Sequence, residues 1–357
     1  MKDFLVIGGG IAGVSAAAEL AAHGSVVVLE TEAALGYHAS GRSAAMFLEG
    51  YGNRVVRALN AASAPAHQEI GVLTPRSFLI VGGLGQEAAF AESREAFGAE
   101  EITPAEAASI WPILDTGHCT KAAWLDTAAD LDTDLLLQHF ARRARKAGAE
   151  ILTRAPATEI SRTPDGWRVG TPDGPHHARH LVNAAGAWSD LVAQTAGIAP
   201  LGIRPLRRSM ARLPAPDGLD TRDWPFVDAA DESWYAKPDA GAWLVSPGDE
   251  DPVEPHDAWA DDMVIAEGLA RYQDFARVDV TRVETTWAGL RSFAPDRALV
   301  IGRDPADPTF LWCAGQGGYG FQTAPAAARL LAALATGTPP DLDAALVAAL
   351  LPARFAR

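Results

Sequence analysis

Cysteine is nearly absent. Cys119 and Cys313 are the only two among 357 residues. They lie far apart and form neither a CxxC pair nor a metal-ligand spacing, which excludes a disulfide scaffold and a cysteine-built metal site. Free, buried thiols in a reducing cytoplasm are the expectation. Long apolar runs are also missing. No stretch approaches the roughly 20 apolar residues that span a bilayer. At the N-terminus only Phe4 to Ile7 are apolar before Gly8, too short a run for a signal-peptide core. The chain is therefore expected to be soluble and cytoplasmic. Basic charge is in deficit, with 30 Lys and Arg against 45 Asp and Glu and a formal net charge of −15. That balance argues against nonspecific nucleic-acid or anionic-membrane binding, which reward a basic face. No internal repeat or low-complexity linker is present.

What is present is a large apolar fraction, 48%, enough to exclude a disordered chain. The length suits two domains. Phe4-Leu5-Val6-Ile7 is a continuous apolar run, as in a strand buried on both faces of a parallel sheet. It leads into Gly8-Gly9-Gly10-Ile11-Ala12-Gly13, a G-x-G-x-x-G turn formed by Gly8, Gly10 and Gly13. A helix-forming segment, Val14 to Ala22, follows and ends near Gly24. Val26 to Leu29 reads as the second strand and ends on Glu30. In this order Gly8 permits the tight turn, Gly10 lets the backbone approach a pyrophosphate, and Gly13 packs helix against strand. The helix N-terminus offers free N–H groups to phosphate. Glu30 stands where an acid accepts hydrogen bonds from ribose hydroxyls. The unit predicts dinucleotide binding, and the acid at Glu30 disfavours NADP.

The next residues separate NAD from FAD. Thr31 to Ala45 form a long loop rich in Gly and Ser, better suited to cover a flavin than to enter another helix. Near the other end, Phe310 to Ala314 reads as a strand. Gly315-Gln316-Gly317-Gly318-Tyr319-Gly320-Phe321-Gln322-Thr323 follows, and then a helix from Ala324 to Thr336 with Pro325 near its first position. Its N–H groups could stabilise negative charge on a reduced flavin. Leu181 to Ser189 is a third strand-to-glycine turn.

GGGIAG, GYHASGRSAA, LVNAAGAWSD, RRS, SWYAKPDAG, TWAGLRSF and GQGGYGFQT occur in this order along nearly the whole chain. With them the sequence resembles the FAD-dependent amine and amino-acid oxidoreductases related to D-amino-acid oxidase, glycine oxidase and sarcosine oxidase. Within that group it is most similar to bacterial D-arginine dehydrogenase and its D-amino-acid dehydrogenase relatives. The resemblance implies an α/β fold: a Rossmann-like FAD domain built from 1–75, 140–203 and 290–357, and a sheet-containing (α+β) substrate domain from 76–139 and 204–289. It implies noncovalent FAD, held by Gly8, Gly10, Ala12, Gly13, Glu30, Thr31, His38, Ser40, Arg42, Ser43, Ala44, Ala45, Ala157, Gly186, Gly317, Gly318, Tyr319, Gly320 and Phe321. The implied reaction is oxidation of a D-amino acid to the imino acid, which hydrolyses to a 2-oxo acid and ammonia. The electron acceptor is left open among a quinone, a dye-like carrier and oxygen. An N-methyl or secondary amino acid, or a 2-hydroxy acid, is the alternative substrate.

An amino-acid carboxylate calls for an arginine fork. Arg291, near the end of a probable strand, matches a carboxylate-binding arginine of the family. Arg208 and Tyr235 match substrate-side residues, Tyr51 is a further candidate, as a lid or as a carboxylate or water partner, and the Gly318 backbone is expected to line the site. Arg207 is expected to be solvated or structural. No side-chain general base stands out. Met46, Leu48, Phe78 and Gln322 are expected around the substrate side chain. D-Arginine dehydrogenase-like sequences carry a glutamate at the position of Phe78, so a neutral, apolar side chain is expected here. No cysteine occurs at Ala288-Gly289, where sarcosine-oxidase relatives tether flavin. His176, His177 and His180 read as solvated residues of a polar turn ahead of a strand rather than a metal site.

Elsewhere, Asp132-Thr133 caps a helix from Asp134 to about Lys146, and Glu150 to Thr153 reads as a strand. Ser209 to Leu213 reads as a strand preceded by Arg207 and Arg208. Ser233 to Lys237 and Ala242 to Ser246 form a hairpin about the turn Pro238 to Gly241. The acidic stretch from Asp249 to Asp262 reads as a solvated loop, with a lid as the alternative.

Overall fold

The structure, a computed structural model, describes residues 1–355. The predicted first unit forms as expected: strand Lys2–Ile7, helix Ile11–Leu20 and strand Val26–Leu29. The helix starts three residues before the predicted Val14, because the glycine turn itself enters the helix. The two strands pair in parallel, and Lys2–Ile7 also pairs in parallel with Gly174–Asn183. Val26–Leu29 continues to Glu150–Leu152, and Gly174–Asn183 continues to Phe310–Ala314. With the antiparallel strands Glu159–Thr163, Gly166–Thr171 and Val300–Arg303, this makes an eight-stranded sheet.

Strand alternation divides the apolar residues between two cores. Phe4, Val6, Val26 and Val28 face the helices Ile11–Leu20, Thr133–Lys146 and Gly320–Thr336. Leu5, Ile7, Val27 and Leu29 face Trp167, Phe310 and Trp312. Both faces are covered, which explains the uninterrupted hydrophobic runs. The Thr133–Lys146 helix is capped by Asp132, whose carboxylate accepts the Leu135 N–H at 2.8 Å.

The helix after strand Phe310–Ala314 departs from expectation. It begins at Gly320, not Ala324, and Pro325 lies inside it. Proline removes one N–H from the ladder. The neighbouring helix Arg54–Ile70 supplies substitutes: Ser63 Oγ accepts the Ala326 N–H at 3.2 Å, and His67 Nε2 lies 2.8 Å from the Gln322 carbonyl. A tertiary contact thus overrides the local proline signal. His176, His177 and His180 lie within the strand Gly174–Asn183, not ahead of it.

The second sheet has nine strands. Arg204–Pro214 pairs antiparallel with Thr285–Phe293 and with Ala242–Ser246. The sheet continues through Tyr235–Asp239, Phe226–Ala229 and Phe78–Gly82. Arg207 and Arg208 therefore lie inside a strand instead of preceding one. The hairpin turns at Ala240 and Gly241, with φ of 46° and 80°; the two-residue reversal suits the right-handed twist of the strands. A three-stranded sheet, Met46–Phe47, Leu73–Pro75 and Ala129–Leu131, links the large sheets. Cys119 and Cys313 are free and buried, and burial pushes their thiols up to about 11 and about 12. No helix among the described residues is long and apolar enough to cross a membrane.

Candidate active site

One long cleft runs between the two large sheets and encloses about 1480 Å³ of non-atom space, part of it open solvent. Its first wall is backbone. Gly10, Ile11 and Ala12 line it at the helix start, with Ala39 to Leu48 excepting Gly41 and Phe47, then Gly186, Gln316 to Gly318, and Gly320 to Gln322. Two glycines behind this wall are sterically required. A Cβ on Gly13 would lie 1.9 Å from the Gly8 carbonyl oxygen, and one on Gly8, where φ is 109°, would lie 2.4 Å from the Ala184 oxygen. Strand, turn and helix can approach only as glycine. Gly8, Gly13 and Tyr319 support the wall without lining it.

Several residues expected at the cofactor are engaged by protein groups. Glu30, 8% exposed, accepts the Gly9 N–H at 2.6 Å and the Glu32 N–H at 2.7 Å. It closes the turn and still has lone pairs for a ribose. Ser40 Oγ accepts the Ile11 N–H at 3.0 Å. Arg42 spends its guanidinium on the Ala258 and Ala288 carbonyls at 2.8 Å and on Asp257, and so pins the loop to the second sheet. His38 lies 3.0 Å from Glu32 and packs on Trp188. Glu30, Thr31, His38 and Ala157 do not line the cleft. Ser43 Oγ accepts the Ala45 N–H at 3.1 Å. Lys237 is buried: it bonds Asp130 at 2.6 Å and the Ala44 carbonyl at 3.1 Å, holding the loop at the cleft.

The second wall is made of side chains. Register places Arg291 opposite Leu206, and Gly289 opposite Arg208. Arg291 and Arg208 both face the cleft with Tyr51 and Tyr235. Arg291 Nη1 approaches the Tyr51 hydroxyl at 3.4 Å, and its buried Nε has no partner among the described residues. Arg208 lies over the Tyr235 ring at 5.6 Å, and its Nε donates to the Asp249 carbonyl at 2.8 Å. Among the described residues no acceptor takes the hydroxyl proton of Tyr51 or Tyr235. Burial raises the Tyr51 hydroxyl above its ordinary value, although Arg291 and Arg208 pull it down, so it is a neutral donor.

The acidic stretch is the solvated loop expected at Asp251, Glu254, Asp257 and Asp262, which are exposed, but Asp249 and Glu250 turn inward. Asp249 is buried, accepts the Ser209 N–H at 2.6 Å and Oγ–H at 2.8 Å, and faces Arg207 at 3.4 Å. Arg207 also pairs with Asp251 at 2.7 Å, a structural role. Glu250 bonds Arg291 and Arg297 and lies 3.5 Å from Arg208. Burial pushes its carboxyl up, but the Arg297 bond and the charges of Arg291, Arg297 and Arg208 outweigh that and hold it below the usual range. Three guanidiniums share this one carboxylate, so the clamp keeps an excess of positive charge.

Phe78 also differs from expectation. It is fully buried and does not line the cleft; it packs behind Phe97 and Phe226, whose rings lie 4.8 and 5.5 Å away. Met46 and Leu48 do line it, and Gln322 Oε1 fixes the loop by accepting the Leu48 N–H at 2.6 Å. Sequence reasoning missed Phe97, Met210, Phe226, Asp228, Glu232 and Glu250. The one available signal was period two: Phe226 and Asp228 share a face in Phe-Val-Asp-Ala, an acid beside an aromatic within an apolar strand.

A glycine-built dinucleotide wall facing a cationic, tyrosine-bearing wall defines an α/β nucleotide-dependent oxidoreductase. The DAO family model, described as FAD dependent oxidoreductase, matches residues 3–334, and the chain belongs to that family. FAD is the family's cofactor, and the tight glycine cradle and the helix start at the cleft fit it. Among curated proteins, glycine oxidase of Bacillus subtilis (strain 168) is 24% identical over 233 residues, covering 61% of this chain and 58% of its own length. Mitochondrial dimethylglycine dehydrogenase of Homo sapiens is 28% identical over 211 residues, 55% of this chain and 24% of its own length. The chain thus spans less than two thirds of the curated relatives it matches. Among solved structures, L-proline dehydrogenase from P. horikoshii superposes with a TM-score of 0.83 at 24% identity, covering 99% of this chain and 97% of its own. Glycine oxidase from Geobacillus kaustophilus gives 0.83 at 21% identity, covering 97% of each chain. These two similarities establish the fold.

Proposed function

We propose that this chain is an FAD-dependent dehydrogenase of a D-amino acid, yielding the imino acid and then a 2-oxo acid and ammonia. One observation carries the reading: Arg291, Arg208, Tyr51 and Tyr235 converge on the cleft with donors left unspent, opposite the glycine wall. A carboxylate is the group such donors accept. Arg291 and Arg208 hold it, and the Tyr51 and Tyr235 hydroxyls donate to its free lone pairs. Gripped at that end, the substrate presents its Cα to the Gly317–Gly318 side of the cleft. FAD, when bound, supplies the acceptor for the hydride leaving that carbon. The amine gives up its proton to water, since no side chain is placed as a base. The backbone N–H groups of Gly10 and Ala12 would meet the cofactor phosphates, with the Ile11 N–H held by Ser40, and Glu30 would meet the ribose. In this reading the chain divides into a cofactor part (1–75, 140–203, 290–357) and a substrate part (76–139, 204–289), bounds that the helix Thr133–Lys146 and the strand Thr285–Phe293 cross. FAD is noncovalent in this reading, as no cysteine lines the cleft.

The D configuration rests on the resemblance of TWAGLRSF and SWYAKPDAG to D-amino-acid dehydrogenases. The names of glycine oxidase, dimethylglycine dehydrogenase and L-proline dehydrogenase support a second reading, a secondary or N-methyl amino acid. Anaerobic bleaching of the flavin by D- and L-amino acids, sarcosine, proline and hydroxy acids separates the two. Bleaching by D-amino acids in preference to their L forms and to sarcosine is expected; bleaching only by hydroxy acids would overturn both. Dye reduction without peroxide distinguishes a dehydrogenase from an oxidase.

A further inference from the structure

We propose that Asp228, with Glu232 at the rim, forms a cation subsite that receives the distal ammonium or guanidinium of the substrate's side chain. The inference rests on the amino-acid reading above and deepens it.

Asp228 lies on the strand Phe226–Ala229, directly opposite Tyr235. It faces the cleft from the same side of the strand as Phe226, whose ring stacks on Tyr235 at 5.2 Å. The cleft there is lined by the apolar Phe226, Phe97, Met46 and Leu48, beside Tyr235, Glu232 and Arg208. Among the described residues no donor or cation reaches its carboxyl. The cation whose charge acts on it, Arg208, makes its own bonds elsewhere, donating Nε to the Asp249 carbonyl and lying 3.5 Å from Glu250. Burial and the charge of Glu232 push the Asp228 carboxyl well above its usual range, against the pull of Arg208. A carboxyl lodged against apolar side chains without a partner is costly. A ligand cation offsets that cost.

The distance suits a long side chain. The strand carrying Arg208 and the strand carrying Asp228 are three steps apart in the sheet, about 14 Å at the usual spacing. Arg208 spends part of that span reaching over Tyr235. What remains accommodates a few methylenes between a carboxylate held by Arg291 and a cation held by Asp228. The neutral preference expected from Phe78 is thereby reversed. Asp228 stands beside Ile80 in the adjoining strand, two positions past the pair Phe226 and Phe78. The acid enters the same wall from another segment of the chain.

The test uses carboxylates that carry no α-amine and cannot be oxidised there. The flavin absorbance of the holoenzyme is titrated with 6-aminohexanoate, 4-guanidinobutyrate and hexanoate at pH 8. The two cationic acids should bind at least about tenfold tighter than hexanoate, the size of a charge-assisted hydrogen bond. Asp228→Asn should remove most of that preference. Asp228→Leu, an apolar replacement that tolerates the apolar surroundings, should do the same if the first variant retains no flavin. Equal or tighter binding of hexanoate in the wild type, or an unchanged preference in both variants, overturns the subsite. If the preference is present but no amino acid bleaches the flavin, the subsite stands and the proposed reaction falls. If amino acids bleach the flavin without the preference, the reverse holds.

Discussion

The two walls of the cleft are built by opposite means. The cofactor wall is backbone, held by glycines whose neighbours leave no room for a Cβ. The substrate wall is side chain, assembled from residues that meet only because distant strands pair. The first has no room for a side chain at Gly8 and Gly13, whereas the second is a set of charges and rings brought together from separate strands. The contrast separates what the family shares, a nucleotide cradle, from what this chain owns, its choice of substrate.

The largest effect should come from the backbone wall. Gly13→Ala places a methyl 1.9 Å from the Gly8 oxygen, overpacking worth about 3 kcal/mol or more. The purified variant should lack flavin absorbance and aggregate. Gly10→Ala is the sharper control: its Cβ meets only Ser40 Oγ, at 3.2 Å, so it should fold yet bind FAD weakly. If both variants retain flavin equally, the distinction between the walls fails.

Arg291→Ala comes next. It removes the fork and leaves Glu250 without its nearest cation, and kcat/KM for the best amino acid should fall by at least about 100-fold. Tm should move little, because Arg297 still holds Glu250. A tenfold or smaller loss would show that Arg208 alone grips the substrate. Glu250→Gln is milder and opposite in sign. It leaves three guanidiniums uncompensated and frees Arg291, so KM should drop about fivefold, roughly the effect of one charge near a surface. A rise in KM would instead make Glu250 a positioning residue for the fork.

The smallest effect tests the helix pair behind the backbone wall. Burial holds His67 below its ordinary pKa, against the bond to the Gln322 carbonyl. The unfolded chain therefore takes up the proton first, so this contribution is complete above about pH 6.5 and is lost as pH falls through the folded value. His67→Asn should flatten the acid decline of Tm just below pH 6.5 by about 2 °C per kcal/mol removed. An unchanged slope would assign the decline to His139 and His180, which burial also lowers.

How much was legible follows the same division. Gly8, Gly10, Gly13 and Glu30 are legible because strand, turn, helix and acid are contiguous, and local sterics dictate each residue type. The expected fork at Arg291 came through a motif, and its convergence with Arg208 is the register of two strands. Pro325 misled because Ser63 and His67, more than 250 positions away, complete the helix around it. The acidic stretch misled because composition cannot show that Glu250 turns inward onto Arg291.

The chain's sequence by itself determined a nucleotide-binding α/β half, since a parallel strand, a glycine turn and a helix start are set by neighbours within about 30 residues. Only the tertiary structure decided which charges gather at the cleft. Asp228, Glu250, Arg208 and Arg291 come from four separate strands and loops. Their electrostatics depend on burial and on one another's distance, quantities that exist only once the strands of the second sheet have paired.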